Sequence, residues 1–75
     1  MANNLTQWKP QVTIDGKTTI CTTYKELKRS LYGLLKESDS NQARVNRSRR
    51  GKWGEWFEYW SIIDDVPKIT KQGWM

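Results

Sequence analysis

Between residues 44 and 52 the chain carries Arg44, Arg47, Arg49, Arg50 and Lys52 with no intervening acid. Arginine forks match phosphate oxygens and stack on bases. Trp53 and Trp56 stand directly beside the run. Cations to track a backbone and flat rings to stack on are what single-stranded nucleic acid requires. Laid along a hairpin, the same run is suited to enter a groove as a β-ribbon. The competing account is a solvated charged hairpin whose arginines pair with Glu55 and Glu58, and a third is an acidic protein partner. Nucleic acid, DNA or RNA, is the leading expectation. Arg47, Arg49 and Arg50 are accordingly expected at the surface, where alanine substitutions leave the fold intact.

Two further sets bear on binding. Lys25, Arg29, Tyr32 and Lys36 form a stripe on a predicted helix, a possible secondary surface whose ordinary role is solvation. Trp53, Trp56, Phe57, Tyr59 and Trp60 form an aromatic cluster. Strand alternation would put Trp56, Trp60 and Ile62 on one side and Phe57, Tyr59 and Ile63 on the other. One helix covers one face of a small sheet. The outward aromatic set is therefore expected to be partly exposed, or covered by a homodimer.

Catalytic chemistry finds little to work with. There is no histidine, the commonest general acid–base residue. Cys21, the single cysteine, falls in a predicted strand and reads as a buried structural thiol rather than a nucleophile. Asp64-Asp65 reads as a solvated turn, with no further ligand near it in sequence. No phosphate-binding glycine loop is present. No metal, no cofactor and no enzymatic activity are expected.

A chain of 75 residues holds one domain with a small core, and neither a disulfide nor a zinc site is available to staple it. The core must come from packing, to which five tryptophans contribute, or from a dimer interface. The net charge of +5 favours acidic partners. The first residues lack the apolar run of a signal peptide. No stretch approaches the roughly 20 apolar residues that span a bilayer. These features fit a reducing cytoplasm and no membrane partner.

The elements that must position these residues are legible in part. Residues 1–9 read as a flexible polar arm, and 10–75 as a single α+β domain. Gln11 to Ile14 and Lys17 to Thr22 are strands around the Asp15-Gly16 turn signal. A three-residue loop is expected there, since it keeps Val12 and Ile20 on one face. Thr23-Tyr24-Lys25-Glu26 matches a capping box. Tyr24, Leu27, Leu31, Leu34 and Leu35 recur at helical spacing, and the helix should end near Glu37. Ala43 to Arg50, Glu55 to Ile63 and Lys68 to Lys71 follow as strands, with Pro67 limiting where the last begins. Glu55 to Ile63 also fits a helical face through Trp56, Tyr59, Trp60 and Ile63, but its aromatic and β-branched content favours the strand. The order is then β-β-α-β-β-β, one helix on an antiparallel sheet.

The stretch Arg49-Arg50-Gly51-Lys52-Trp53-Gly54-Glu55-Trp56, running on to Gln72-Gly73-Trp74, resembles short accessory proteins of tailed bacteriophages. The resemblance implies nucleic-acid binding, or binding and inhibition of a host or defence protein, in the cytoplasm of a bacterial host. A second likeness is to the three-stranded DNA-binding sheets of phage-type integrase arms. In those the helix follows the sheet, whereas here the clear helix precedes the aromatic strands. The leading expectation is thus a small basic nucleic-acid-binding accessory protein. The alternative is an inhibitor or adaptor that docks on an acidic host protein through its aromatic face.

Overall fold

The structure, a computed structural model, describes residues 9–49 and 55–74. All of the expected arm but Lys9 lies outside them. β1 (Gln11–Ile14) and β2 (Lys17–Ile20) pair antiparallel, with Ile14 opposite Lys17. Asp15 and Gly16 both take positive φ, 51° and 83°, the pair of conformations a type I′ turn needs. The expected three-residue loop is therefore corrected to two. The twist of the I′ turn matches that of the strands, and the chain accepts the consequence for Ile20. Val12 is buried, while Ile20 faces the opposite way and is 61% exposed. The second strand also stops at Ile20 rather than Thr22. Cys21 donates its N–H to the Pro10 carbonyl at 2.9 Å, and the chain then turns into the helix.

α1 (Tyr24–Lys36) begins where the capping box places it. The Glu26 N–H donates to Thr23 Oγ1 at 3.1 Å. The Glu26 carboxylate reaches back to the Thr22 N–H at 2.9 Å, one residue before the N-cap. Glu37 closes the helix as C-cap. Thr23→Ala removes the side-chain acceptor and is expected to cost about 1 kcal/mol, read as a fall in melting temperature of roughly 4–8 °C for a domain of this size.

β3 (Ala43–Arg49), β4 (Glu55–Ile63) and β5 (Val66–Trp74) complete an antiparallel sheet of order β2-β1-β3-β4-β5. β2 and β3 both run antiparallel to β1 and therefore parallel to each other. A connection between two parallel strands that passes over β1 needs a crossover, and α1 supplies it. Glu55 to Ile63 is strand, as its residue types favour. Asp64 and Asp65 turn the last hairpin with φ of 55° and 65°, a second I′ turn. β5 starts at Val66, before Pro67, which corrects the later start expected from that proline. β5 is an edge strand, where a missing N–H is tolerated.

The helix buries Leu27, Leu31 and Leu35 against Val12, Ala43 and Val45, with Cys21 at the margin and Tyr24, Leu34, Trp60 and Ile62 packed around them. All of this lies on one side of the sheet. Asn41 ties the helix–β3 connection to β4 by a reciprocal pair, its Nδ2 donating to the Ile62 carbonyl at 3.2 Å and its Oδ1 accepting from the Ile62 N–H at 2.9 Å. Tyr32 Oη donates to Asp65 Oδ1 at 2.7 Å, fastening the helix to the last turn. Among the described residues no helix is long and apolar enough to cross a membrane.

Candidate nucleic-acid interface

β3 and β4 carry most of the expected binding residues, and their register decides which face each one serves. Ala43 stands opposite Trp60 and Val45 opposite Glu58, all on the helix side. Arg44 stands opposite Tyr59 and Asn46 opposite Phe57, on the side the helix does not cover. A bulge between Asn46 and Ser48 leaves Arg47 as the extra residue, and the ladder resumes with Ser48 opposite Trp56 and Arg49 opposite Glu55. The cationic run is therefore not one stripe. Arg44 and Arg47 are an odd number of residues apart, and strand alternation sends them to opposite faces.

The helix side is centred on Glu58, one of the two acids that the charged-hairpin account pairs with the arginines. Glu58 is only 1% exposed. Tyr24 Oη donates to its Oε1 at 2.7 Å, and Trp60 Nε1 donates to the same oxygen at 2.8 Å. Trp56 Nε1 donates to Oε2 at 2.9 Å. Arg47 Nη1 lies 3.7 Å from Oε2, and its guanidinium sits 4.2 Å from the centre of the Tyr24 ring. A buried carboxylate is tolerated only when its lone pairs are occupied in this way. The signal in the sequence was an acid flanked two residues on either side by Trp56 and Trp60, which one strand face brings together.

These contacts bear on two expectations. Arg47 is half-exposed, as expected of a surface residue, and its guanidinium also lies beside a buried acid. Trp56 places its indole N–H on Glu58 and packs edge-on against Trp74, with ring centroids 5.4 Å apart. Both side chains are thus engaged on the helix side. Burial, the Glu58 hydrogen bond and the Glu58 charge, in that order, push the Tyr24 phenol well above the ordinary tyrosine range, with Arg47 opposing. Burial, with Glu26 adding to it, pushes the Cys21 thiol up.

The opposite face carries a different arrangement. The Arg44 guanidinium lies 5.7 Å from the centre of the Phe57 ring and 6.0 Å from that of Tyr59. The two rings meet edge to face, with centroids 5.6 Å apart. Lys71 stands opposite Tyr59, and Lys68 opposite Ser61. Thr13, paired with Arg44 across β1, hydrogen-bonds Thr18 at 2.9 Å. Asn46 donates to Glu55 Oε1 at 3.0 Å, holding the acid at the margin of this face.

Of the other expected site residues, the side chain of Arg49 and the whole of Arg50, Lys52 and Trp53 lie outside the described residues. Lys25, Arg29, Tyr32 and Lys36 are exposed on α1, away from the Arg44 face. Tyr32 is taken up by Asp65, with the Lys36 ammonium 5.6 Å from its ring centre. Comparison with family models, with curated proteins and with solved structures finds no match to this chain.

Proposed function

We propose that the protein is a nucleic-acid-binding accessory protein rather than an enzyme, and that β3 and β4 form its contact surface. The observation that carries this reading is Arg44 set over Phe57 and Tyr59 on the face that α1 leaves uncovered. A guanidinium beside aromatic rings, with lysines on the neighbouring strand, offers a phosphate and a base their usual partners in one place. The overall charge of +5 acts in the same direction at longer range. The exposed aliphatic residues favour this over a protein-docking surface. Ile20 stands at one edge of the sheet, Ile63 and Val66 close the hairpin at the other, and Ile69, opposite Trp60, is on the helix side. A protein interface needs a contiguous apolar centre.

Titration against salt tests the reading. Contact with about four or five phosphates gives a slope of log affinity on log salt of roughly −3 to −4.5. Binding that is flat in salt, or absent at low salt, would reject phosphate contact and leave an acidic protein as the partner to seek.

A further inference from the structure

The sheet face opposite α1 contains more than a cationic patch, and its geometry bears on the form of nucleic acid it fits. From β2 to β5 it presents Thr18, Thr13, Arg44, Tyr59 and Lys71 as one row across the strands, with Ile20, Gln11, Asn46, Phe57 and Gly73 in the row beside it. Among the described residues its cations are Arg44, Lys68 and Lys71. Among those residues its one acid is Glu55, at the margin and hydrogen-bonded by Asn46.

We infer that this face binds a single strand, with bases stacked on Phe57 and Tyr59 and the phosphates drawn along Arg44 and Lys71. The inference rests on the nucleic-acid reading above and specifies its substrate class.

Three observations carry it. The first is width. Five strands about 4.8 Å apart make a face roughly 19 Å across, too broad to enter a major groove about 12 Å wide. On an intact duplex its aromatic rings could reach a base only by wedging between stacked pairs, at a cost of a few kcal/mol per step that a single strand does not impose. The second is ring geometry. The Phe57 and Tyr59 rings are inclined at 65° with centroids 5.6 Å apart. Successive bases in a stacked strand are parallel and rise by about 3.4 Å. Two bases that meet these two rings must be splayed, which a single strand permits and a duplex forbids. The third is Gly73. It stands opposite Phe57 on the edge strand, and a Cβ placed there would lie 3.6 Å from the ring, in ordinary contact. The Phe57 ring therefore leans over this glycine toward the sheet edge, with no β5 side chain at that position to wall it off. Threonine, asparagine and serine hydroxyls and amides around the rings supply donors and acceptors to base edges exposed in the same way.

The test is fluorescence anisotropy with labelled oligonucleotides of about 12 nucleotides, a length within the range one small domain occupies. Single-stranded DNA, single-stranded RNA and the DNA duplex of the same sequence are titrated at one low salt concentration. The single strands are expected to bind at least 10-fold more tightly than the duplex. Tyr59→Leu and Phe57→Leu keep an apolar side chain in the sheet and remove the flat ring. Each is expected to weaken single-strand binding by about 5- to 100-fold, the loss of one stacked base. Lys71→Glu changes only an exposed side chain, so its circular dichroism should match wild type, and it too should weaken binding.

Duplex binding as tight as single-strand binding, or leucine variants and Lys71→Glu that bind as wild type does, would overturn the inference. If duplex affinity then falls on replacing Arg49 and Arg50, the nucleic-acid reading survives without it. Failure of every oligonucleotide to bind removes both. A solution dimer that Tyr59→Leu dissociates would also overturn the inference, because a second copy of the chain would then own the face.

Discussion

Glu58→Ala is expected to destabilise the protein by about 3–5 kcal/mol, the range for removing one partner of a buried ionic group. A chain of this size has about 4–11 kcal/mol in all, so the loss takes about a quarter of that or more, and the variant should unfold at a much lower urea concentration. The cause is on the other side of each bond. With the carboxylate gone, the Tyr24 hydroxyl and the Trp56 and Trp60 indole N–H groups lose their acceptor together, and each buried donor left unmade costs about 1–3 kcal/mol. Arg47 adds little to this total, because its side chain is 48% exposed and water screens it. Glu58→Gln keeps one acceptor oxygen and should lose less, about 1–3 kcal/mol. Urea denaturation of both variants checks the order. A Glu58→Ala protein that unfolds at the wild-type midpoint would show that the cage contributes nothing.

The alkaline limb of stability checks the same assignment. The Tyr24 phenol is held above its ordinary range in the fold, so on raising the pH the unfolded chain gives up this proton first. Its stabilising effect is fully present below the ordinary phenol range and falls as the pH rises through it. Glu58→Gln removes the charge that adds to the shift, leaving burial as its main cause, and the fall should become shallower.

Trp60→Ala should be nearly as damaging, at about 3–5 kcal/mol for truncation of a large core-packed ring. Trp60 lies on the helix side, packed against the leucine core, and it also donates to Glu58 Oε1. Trp60→Phe separates the two contributions. It restores most of the apolar contact and leaves the Glu58 oxygen short of one donor, so it should recover more than half of the loss. Trp60→Ala and Glu58→Ala share one network, and their combined effect should fall well short of the sum. Calorimetric melts of the two singles and the double measure that coupling. Equal losses in Trp60→Phe and Trp60→Ala would mean that the N–H, not the ring, carries the effect.

Arg47 shows where reading the strand as a line of charges goes astray. In the one-dimensional chain it belongs with Arg44, Arg49 and Arg50. In the sheet it projects to the helix side from a bulge and meets Tyr24 and Glu58. Alternation alone was enough to separate Arg44 from Arg47. No local pattern places a bulge between Asn46 and Ser48, because a bulge answers to the pairing of two strands and not to the sequence of one. The same holds for the aromatic residues. Their division into Trp56 and Trp60 on one side and Phe57 and Tyr59 on the other was legible from period two. The capture of both indole N–H groups by one acid was not.

By itself the sequence determined the elements and the composition of the faces. Thr23 and Glu26 started the helix, the leucine spacing chose its buried side, and the aromatic and β-branched run from Glu55 to Ile63 made a strand. These are local effects, set by dihedral preference, capping and the period of apolar residues. Only the tertiary structure decided the strand order, with β1 inserted between β2 and β3, since that depends on where a crossover helix can pack back onto the sheet. It also decided that Ile20 is left outside by a tight I′ turn. Glu58 shows the difference most clearly. Its three hydrogen-bond donors come from α1 and from both sides of its own position on β4. A carboxylate can be buried only when such donors converge on it, and convergence of residues 24, 56 and 60 on one point is a property of the folded chain.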